Sequence, residues 1–241
     1  MIFFTPRSGS SWLTDVLSQT GELSHPAEYF NPNFVKNIAS SLGVHEPEEY
    51  IRRVAARKAS KNGIFGFELT FAQYRLIDAD ILSLLSPEHF FVLLRRDLIA
   101  QAVSLYRAVK SRVFHITEGQ RPSVPEVAFD ADEILRWAQH IRNQELGLQK
   151  LFREKDLEPK VLFYEDDIGD EDSILNQFFN VILNQSFDDR DAIKPKHKKI
   201  PPREAKPMDQ RVRGDRPQAI LELEKGRQEW FRELAKTSEN Q

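Results

Sequence analysis

Small and hydroxyl-bearing residues surround one cation in the segment 6–11, which reads Pro-Arg-Ser-Gly-Ser-Ser. Loop amides, serine hydroxyls and the guanidinium of Arg7 can together bind an anion. Phosphate and sulfate are the anions that such loops usually bind. The segment lacks the second glycine and the Lys-Ser/Thr pair of a Walker A loop. By itself, it is also compatible with a tight turn in which the arginine is exposed and the serines cap a helix.

Two elements must position this loop. The apolar run Ile2–Phe4 is typical of a buried strand, and Trp12, Leu13, Val16 and Leu17 recur at helical spacing. The loop therefore joins a strand to the N-terminus of a helix. That N-terminus carries partial positive charge, which favours an anion.

Two later apolar runs end in charged corners in the same way. His89–Leu94 stops at Arg95 and Arg96, and Lys160–Tyr164 stops at Glu165. Continuously apolar strands that alternate with helices are typical of a parallel sheet covered on both faces. Ligands of such sheets bind beyond the carboxyl ends of the strands, so we expect the three corners to face one crevice.

We therefore predict an α/β fold, P-loop-like, with a three-layer α/β/α architecture and a central, mostly parallel sheet. A further strand is predicted at Gly63–Phe71, and an irregular loop at Leu23–Pro32. The tail at about 193–216 is basic and interrupted by prolines, which predicts a loop that closes on a ligand, and Pro217–Lys236 predicts a final helix. We expect the whole chain, 1–241, to form one domain.

Composition excludes several classes of function. The 241 residues include no cysteine, so disulfides, thiolate metal sites and a cysteine nucleophile are excluded. The net charge of -3 argues against a nucleic-acid partner. No apolar run approaches the roughly 18 residues of a membrane span, and no secretion signal is visible, which favours a cytoplasmic protein. His and Asp residues show no ligand spacing, so we expect no metal.

Three motifs resemble those of the sulfotransferases that use 3′-phosphoadenosine 5′-phosphosulfate (PAPS). Residues 6–12, Pro-Arg-Ser-Gly-Ser-Ser-Trp, resemble the family's 5′-phosphosulfate loop. Arg96 and Ser104, eight residues apart, resemble its 3′-phosphate pair, and Tyr164-Glu165-Asp166 resembles its third motif. The bacterial trehalose 2-sulfotransferase branch is the most similar, through residues 26–30, Pro-Ala-Glu-Tyr-Phe, and 95–105, which contain Arg-Arg-Asp and Gln-Ala-Val-Ser-Leu.

The resemblance implies PAPS as sulfuryl donor, adenosine 3′,5′-bisphosphate as product, and no metal. It implies that Arg7 stabilises the leaving phosphate and that Arg96 and Ser104 bind the 3′-phosphate, with Arg95 as the alternative to Arg96. By analogy it also suggests a homodimer. The residues implied at the nucleotide are Arg7, Ser8, Gly9, Ser10, Ser11, Trp12, Arg96, Ser104, Tyr164 and Arg211.

The same resemblance places the general base at Glu28, among Pro26 and two aromatic residues that would partly desolvate it; His25 is the alternative base. Glu68, Phe114 and His115 are the residues we expect at the acceptor, a small molecule and most simply a carbohydrate or glycolipid hydroxyl. Two other functions stay open at this point. One is a small-molecule kinase that depends on magnesium and ATP, and the other is a non-catalytic nucleotide-binding module.

Overall fold

The computed structural model describes residues 1–77, 79–114, 125–187, 193 and 205–239. Its strands are β1 (Ile2–Phe4), β2 (Glu68–Leu69), β3 (Phe91–Leu94) and β4 (Lys160–Phe163). Its helices are α1 (Ser10–Gln19), α2 (Pro32–Leu42), α3 (Pro47–Lys58), α4 (Phe71–Leu76), α5 (Ile81–Leu85), α6 (Leu98–Ser111), α7 (Ala131–Lys155), α8 (Tyr164–Asp167), α9 (Glu171–Leu183), α10 (Ala205–Asp215), α11 (Pro217–Glu224) and α12 (Arg227–Glu239).

The strands pair in the order β2-β1-β3-β4, and every pair is parallel. In register, Phe3 of β1 lies between Leu69 of β2 and Val92 of β3, and Val92 lies opposite Val161 of β4. Because the strands are parallel, their carboxyl ends meet at one edge of the sheet. The predicted α/β fold with a parallel sheet covered by helices is confirmed.

Both faces of the sheet are buried, which explains why the strands are apolar throughout. Phe3, Val92 and Leu94 pack into one core cluster, which also contains buried residues of α3, α7 and α12. Phe4 and Leu93 point the other way, into a cluster with α1 and α9. Successive side chains of a strand point to opposite faces, so alternate residues serve the two layers.

The second strand is shorter than predicted. Of Gly63–Phe71, only Glu68–Leu69 is strand, and Phe71 already begins α4. A capping box ends the strand: Gln73 donates its backbone N–H to the Thr70 hydroxyl oxygen (3.2 Å), and its side-chain Oε1 accepts from the backbone N–H of Thr70 (2.8 Å). The Thr-x-x-Gln spacing signals a helix start, and it outweighs the strand preference of the apolar residues around it.

The C-terminal part also differs from the predicted loop and single helix. Ala205–Asp215 is a helix. Its Val212 is fully buried against α6 and α7, and this tertiary packing stabilises a helix that the apolar periodicity of the segment does not predict. The predicted helix Pro217–Lys236 is divided between α11 and α12 at Gly226, which has a φ of 69°. Positions 194–204 lie outside the described residues. Within the described ranges, no helix has the length and apolarity needed to cross a membrane.

Candidate functional site

The loop between β1 and α1 is held in place by a buried glutamine of α6. Gln101 donates its side-chain amide to the hydroxyl of Thr5 (2.9 Å) and to the backbone carbonyl of Pro6 (2.7 Å). The loop also closes on itself, because the backbone N–H of Ser8 donates to the carbonyl of Thr5 (3.2 Å). The loop is therefore anchored to the next strand–helix unit of the sheet.

The backbone of Arg7, within this loop, lies in the left-handed region, with a φ of 67°. Its Nε donates to the hydroxyl of Ser104 on α6 (3.0 Å), and its Nη1 donates to the backbone carbonyl of Phe114 (2.5 Å). Arg7 is thus brought to two other residues that the sequence assigned to the site, which lie 97 and 107 positions further along the chain. These bonds fix the direction of the guanidinium.

Gly9 allows the loop to pass close to α8. It has a φ of 98°, and a Cβ atom there would lie 2.8 Å from Cγ1 of Ile168 and 3.1 Å from Cδ2 of Tyr164. It is also the N-cap of α1, a helix with neither a side-chain cap nor an acidic residue in its first turn. The hydroxyl of Ser8 is buried there and has no hydrogen-bond partner among the described residues. A polar group left unpaired beside a helix N-terminus fits an anion as the missing partner.

The next residues of the motif are less exposed than the loop suggests. Ser10 is buried in the first turn of α1, and Ser11 is half-buried. Trp12 is only 7% exposed and packs in the core cluster beneath the loop. A contact of Trp12 with a nucleotide stays a prediction.

Arg95 and Tyr164 complete the cationic corner around Arg7. The guanidinium of Arg95 lies 4.3 Å from the centre of the Tyr164 ring, and its Nε is 3.5 Å from Oε1 of Glu165. Burial lowers the pKa of Arg7, the charge of Arg95 lowers it further, and Tyr164 opposes this effect. Burial also raises the pKa of Tyr164. The charge of Arg95 makes the charged form of Arg7 less favourable in this partly desolvated corner, and a bound anion would relieve that cost.

Arg96, the arginine that the sequence spacing favours, points toward Phe163. Its guanidinium lies 3.7 Å from the centre of the Phe163 ring and pairs with the carboxylate of Asp166, and the side chain is exposed. Ser104, its predicted partner, accepts a hydrogen bond from Arg7. The predicted 3′-phosphate pair is thus divided between two contacts, and its role stays a prediction.

Two arginines of α10, Arg211 and Arg213, also differ in whether they contact the corner after β3. Arg211, the predicted phosphate contact, is exposed, with its guanidinium 4.0 Å from the centre of the Phe129 ring and its Nε 3.8 Å from Asp215. Arg213 instead reaches the corner after β3, because its Nη2 lies 2.5 Å from Oδ1 of Asp97, the N-cap of α6. The sequence did not single out Arg213, since it is one of many cations in this basic stretch.

Glu28, the predicted base, has a defined orientation. Its Oε2 accepts hydrogen bonds from the side-chain amides of Asn31 (2.7 Å) and Gln73 (2.5 Å). Gln73 lies in the first turn after β2, so Glu28 is tied to the carboxyl end of the strand next to β1. His25, the alternative base, is exposed, and partial burial of its ring lowers its pKa, followed by the charge of Lys58.

Glu68 is a second carboxyl group beside Glu28. Its backbone N–H donates to the carbonyl of Ala27 (3.2 Å), and its side chain is only 4% exposed. In the part of the chain that the structure describes, its Oε2 has no hydrogen-bond partner. Burial raises the pKa of Glu68 well above its ordinary value, and the charge of Glu28 raises it further, whereas a hydrogen bond with Thr14 opposes the shift. Glu68 therefore retains a proton more readily than an exposed carboxyl group does.

The sequence did not predict the contacts of the two glutamines that hold the site, although Gln101 belongs to the Gln-Ala-Val-Ser-Leu segment. Gln73 and Gln101 are uncharged, and their importance comes from partners that lie 45 and 95 or more positions away. For Gln73, the Thr-x-x-Gln pattern was the available clue. Among the described residues, no three His, Asp or Glu side chains converge as in a metal site. His115 lies outside the described residues, and its role at the acceptor stays a prediction.

A comparison with models of protein families identifies the family of this chain. The family model described as Stf0 sulphotransferase, the trehalose 2-sulfotransferase family, matches residues 1–215. That range contains β1 to β4 and the corners with Arg7, Glu28, Arg95 and Tyr164. A search among curated proteins found no match. The family match confirms the resemblance seen in the motifs and favours sulfuryl transfer over the kinase and non-catalytic alternatives. The chain belongs to the Stf0 sulphotransferase family and is a sulfotransferase enzyme.

Proposed function

We propose that this sulfotransferase takes PAPS as its donor and transfers the sulfuryl group to a hydroxyl of a carbohydrate or glycolipid. The observation that carries the proposal is the position of Arg7 at the end of the sheet, where it is fixed by Ser104 and feels the charge of Arg95. The hydroxyl of the next residue, Ser8, is buried and has no partner among the described residues. The carboxylate of Glu28 lies at the end of the neighbouring strand. An anion site and a base at adjacent strand ends suit a reaction between a phosphosulfate and an acceptor hydroxyl.

On the donor side, Arg7 stabilises the charge that develops on the leaving phosphate. The hydrogen bonds to Ser104 and Phe114 use Nε and one N–H of Nη1, so Nη2 can donate to a ligand. A donor that is already oriented needs no reorganisation as the charge develops, and one such donor contributes about 10²–10³ in rate. The hydroxyl of Ser8 and the amides after Gly9, with Ser10 and Ser11, bind the 5′-phosphate.

On the acceptor side, Glu28 accepts the proton of the attacking hydroxyl. The acceptor oxygen forms its bond to sulfur, the bond between sulfur and the phosphate oxygen breaks, and the electron pair leaves with the phosphate. Asn31 and Gln73 hold Glu28 in orientation for this transfer. Glu68 contributes a carboxyl group that is protonated more readily, and Phe114 and His115 border the acceptor.

The 3′-phosphate of the donor is assigned to Ser104 together with the arginine pair after β3. The sequence spacing favours Arg96, whereas the contact of Arg95 with Tyr164 and its electrostatic effect on Arg7 favour Arg95. Arg211 and Trp12 are additional nucleotide contacts that rest on the family resemblance. The homodimer expected by analogy is a further proposal.

A melting experiment tests the donor. The melting temperature is measured with adenosine 3′,5′-bisphosphate and, separately, with ATP and magnesium. A ligand that binds the native state stabilises it by RT ln(1 + [L]/Kd), so we expect the bisphosphate at 100 times its Kd to add about 2.7 kcal/mol. Stabilisation by ATP and magnesium alone would contradict the proposal.

A panel of acceptors tests the other substrate. Disaccharides, glycolipids, phenols and amines are incubated with labelled PAPS, and transfer of the label is measured. We expect label on carbohydrate hydroxyl groups. Label only on amines or phenols would overturn the proposed acceptor class and leave the donor assignment in place.

A further inference from the structure

Arg227, at the start of α12, contacts the corner after β3, 131 and 132 positions earlier in the chain. Its side chain is fully buried, and it donates through Nη1 to the backbone carbonyl of Arg96 and through Nη2 to the backbone carbonyl of Arg95. A guanidinium that holds two successive carbonyls restrains the orientation of the peptide units to which they belong. Arg227 lies beyond residue 215, where the family match ends.

The position of Arg227 is itself fixed by buried partners. Its Nε lies 3.0 and 2.8 Å from the two carboxylate oxygens of Glu145, and its Nη2 lies 2.8 Å from Oε1. Glu145 is also fully buried, and Glu224 lies 3.3 Å from Nη1. The ring of Phe231 lies 4.5 Å from the guanidinium carbon. A planar bidentate fork of this kind holds its direction in a way that a lysine ammonium does not.

We propose that Arg227 is a positioning residue that sets the arginine pair for nucleotide binding, an inference that rests on the proposed function. The two side chains diverge at this corner: Arg95 turns toward Tyr164, and Arg96 turns toward Phe163. The directions of the two side chains depend on how the peptide groups of residues 95 and 96 are oriented. Arg227 restrains these orientations because it binds the carbonyls of both residues. The segment beyond the family match thereby contributes to the donor site without touching the donor.

The test compares R227K with R142K. Lysine at 227 keeps the positive charge but cannot bridge both carbonyls and Glu145 together. Arg142 belongs to the same buried network, with Nη1 3.4 Å from Glu145 and Nη2 donating to the carbonyl of Lys225 (3.3 Å), but these contacts leave the corner after β3 untouched. R142K is therefore a matched control for loss of a buried arginine.

The readouts are the Kd of adenosine 3′,5′-bisphosphate by calorimetry, the KM values of donor and acceptor, and the melting temperature. We expect R227K to weaken bisphosphate binding about tenfold and raise the donor KM about equally, with the acceptor KM unchanged. R142K should lower the melting temperature and change the Kd less than twofold. A folded R227K with wild-type affinity would overturn the inference, as would equal weakening by R142K.

A second measurement serves if R227K does not fold. Binding and positioning are reciprocal, so bisphosphate should slow amide hydrogen exchange at the start of α12 in the wild-type protein. If the rate of amide hydrogen exchange there does not change when the bisphosphate binds, the inference is contradicted. Failure of the wild-type protein to bind the bisphosphate would contradict the proposed function, and the inference with it. Wild-type binding with no effect of R227K would contradict the inference alone.

Discussion

Gln73 donates its side-chain amide to Glu28, with 2.5 Å between Nε2 and Oε2. The other end of the Gln73 amide accepts from the backbone N–H of Thr70, so one side chain both caps α4 and orients the carboxylate. The direction of Glu28 therefore depends on where β2 ends and α4 begins. A rigid backbone feature orients the proposed base.

Glu28→Gln tests the base directly. The amide has the same shape but cannot accept the proton, so we expect kcat to fall by about 10²–10⁴. The Kd of adenosine 3′,5′-bisphosphate should stay within twofold, because Glu28 does not lie at the donor corner. His25→Gln is the control and should keep most of the activity. If His25→Gln removes activity and Glu28→Gln does not, the base is His25.

Gln73→Glu tests the orientation of Glu28. A glutamate can still complete the capping box with Thr70, but it removes the donated hydrogen bond and places a like charge against Glu28. We expect kcat to fall about 10–100-fold, and the melting temperature to fall as well because position 73 is buried against Glu28. Steady-state kinetics and a melting curve on the same preparation give the answer. Unchanged kcat would show that Gln73 does not position the base.

Glu68 should make stability depend on pH. Burial and the charge of Glu28 raise the folded-state pKa of Glu68 above its unfolded value. The folded state then binds more protons in the window between the two values. The free energy of unfolding therefore decreases as pH rises through that window, by about 1.4 kcal/mol per pH unit.

Urea unfolding at a series of pH values measures this effect. The wild-type protein should lose stability from the unfolded pKa of the carboxyl group up to its folded pKa, and Glu68→Gln should remove that part of the slope. Glu22→Gln, at an exposed position, is the control and should leave the slope unchanged. Parallel curves for the wild-type protein and Glu68→Gln would contradict the assignment.

The two arginines after β3 can be separated by substitution. Arg95 contacts Tyr164 and lowers the pKa of Arg7, whereas Arg96 contacts Phe163 and Asp166. We expect Arg95→Gln to weaken binding of adenosine 3′,5′-bisphosphate about 10–100-fold, which is the range for a lost charged hydrogen bond. Arg96→Gln should weaken it less. The reverse order, measured by calorimetry, would favour the sequence-based choice of Arg96.

Gly9→Ala tests the close approach of the anion loop to α8. The new Cβ would meet Ile168 and Tyr164, and the residue would keep a positive φ. Gly21→Ala is the matched control, with a φ of 68° and open space around the new atom. We expect Gly9→Ala to cost about 1–3 kcal/mol of unfolding free energy and to abolish bisphosphate binding. Gly21→Ala should bear only the backbone cost and should bind normally.

Much of the fold followed from local patterns. The apolar runs that became β1, β3 and β4, and the loop after β1, were visible because strands buried on both faces need apolar residues at every position. The end of β2 and the helix α10 were predicted wrongly. Both depend on choices that a window of neighbouring residues does not decide: a capping box at Thr70 and the burial of Val212 against α6 and α7.

The sequence by itself determined which kinds of residue meet at the site, because parallel strands bring their carboxyl ends to one edge and the motifs follow those ends. Only the tertiary structure decided the partners. Ser104 binds Arg7, Gln73 holds Glu28, and Arg227 holds the carbonyls of the arginine pair. The physical reason is that a hydrogen bond depends on distance and direction in space. The two residues that form it can lie a hundred positions apart and leave no periodic trace in the chain.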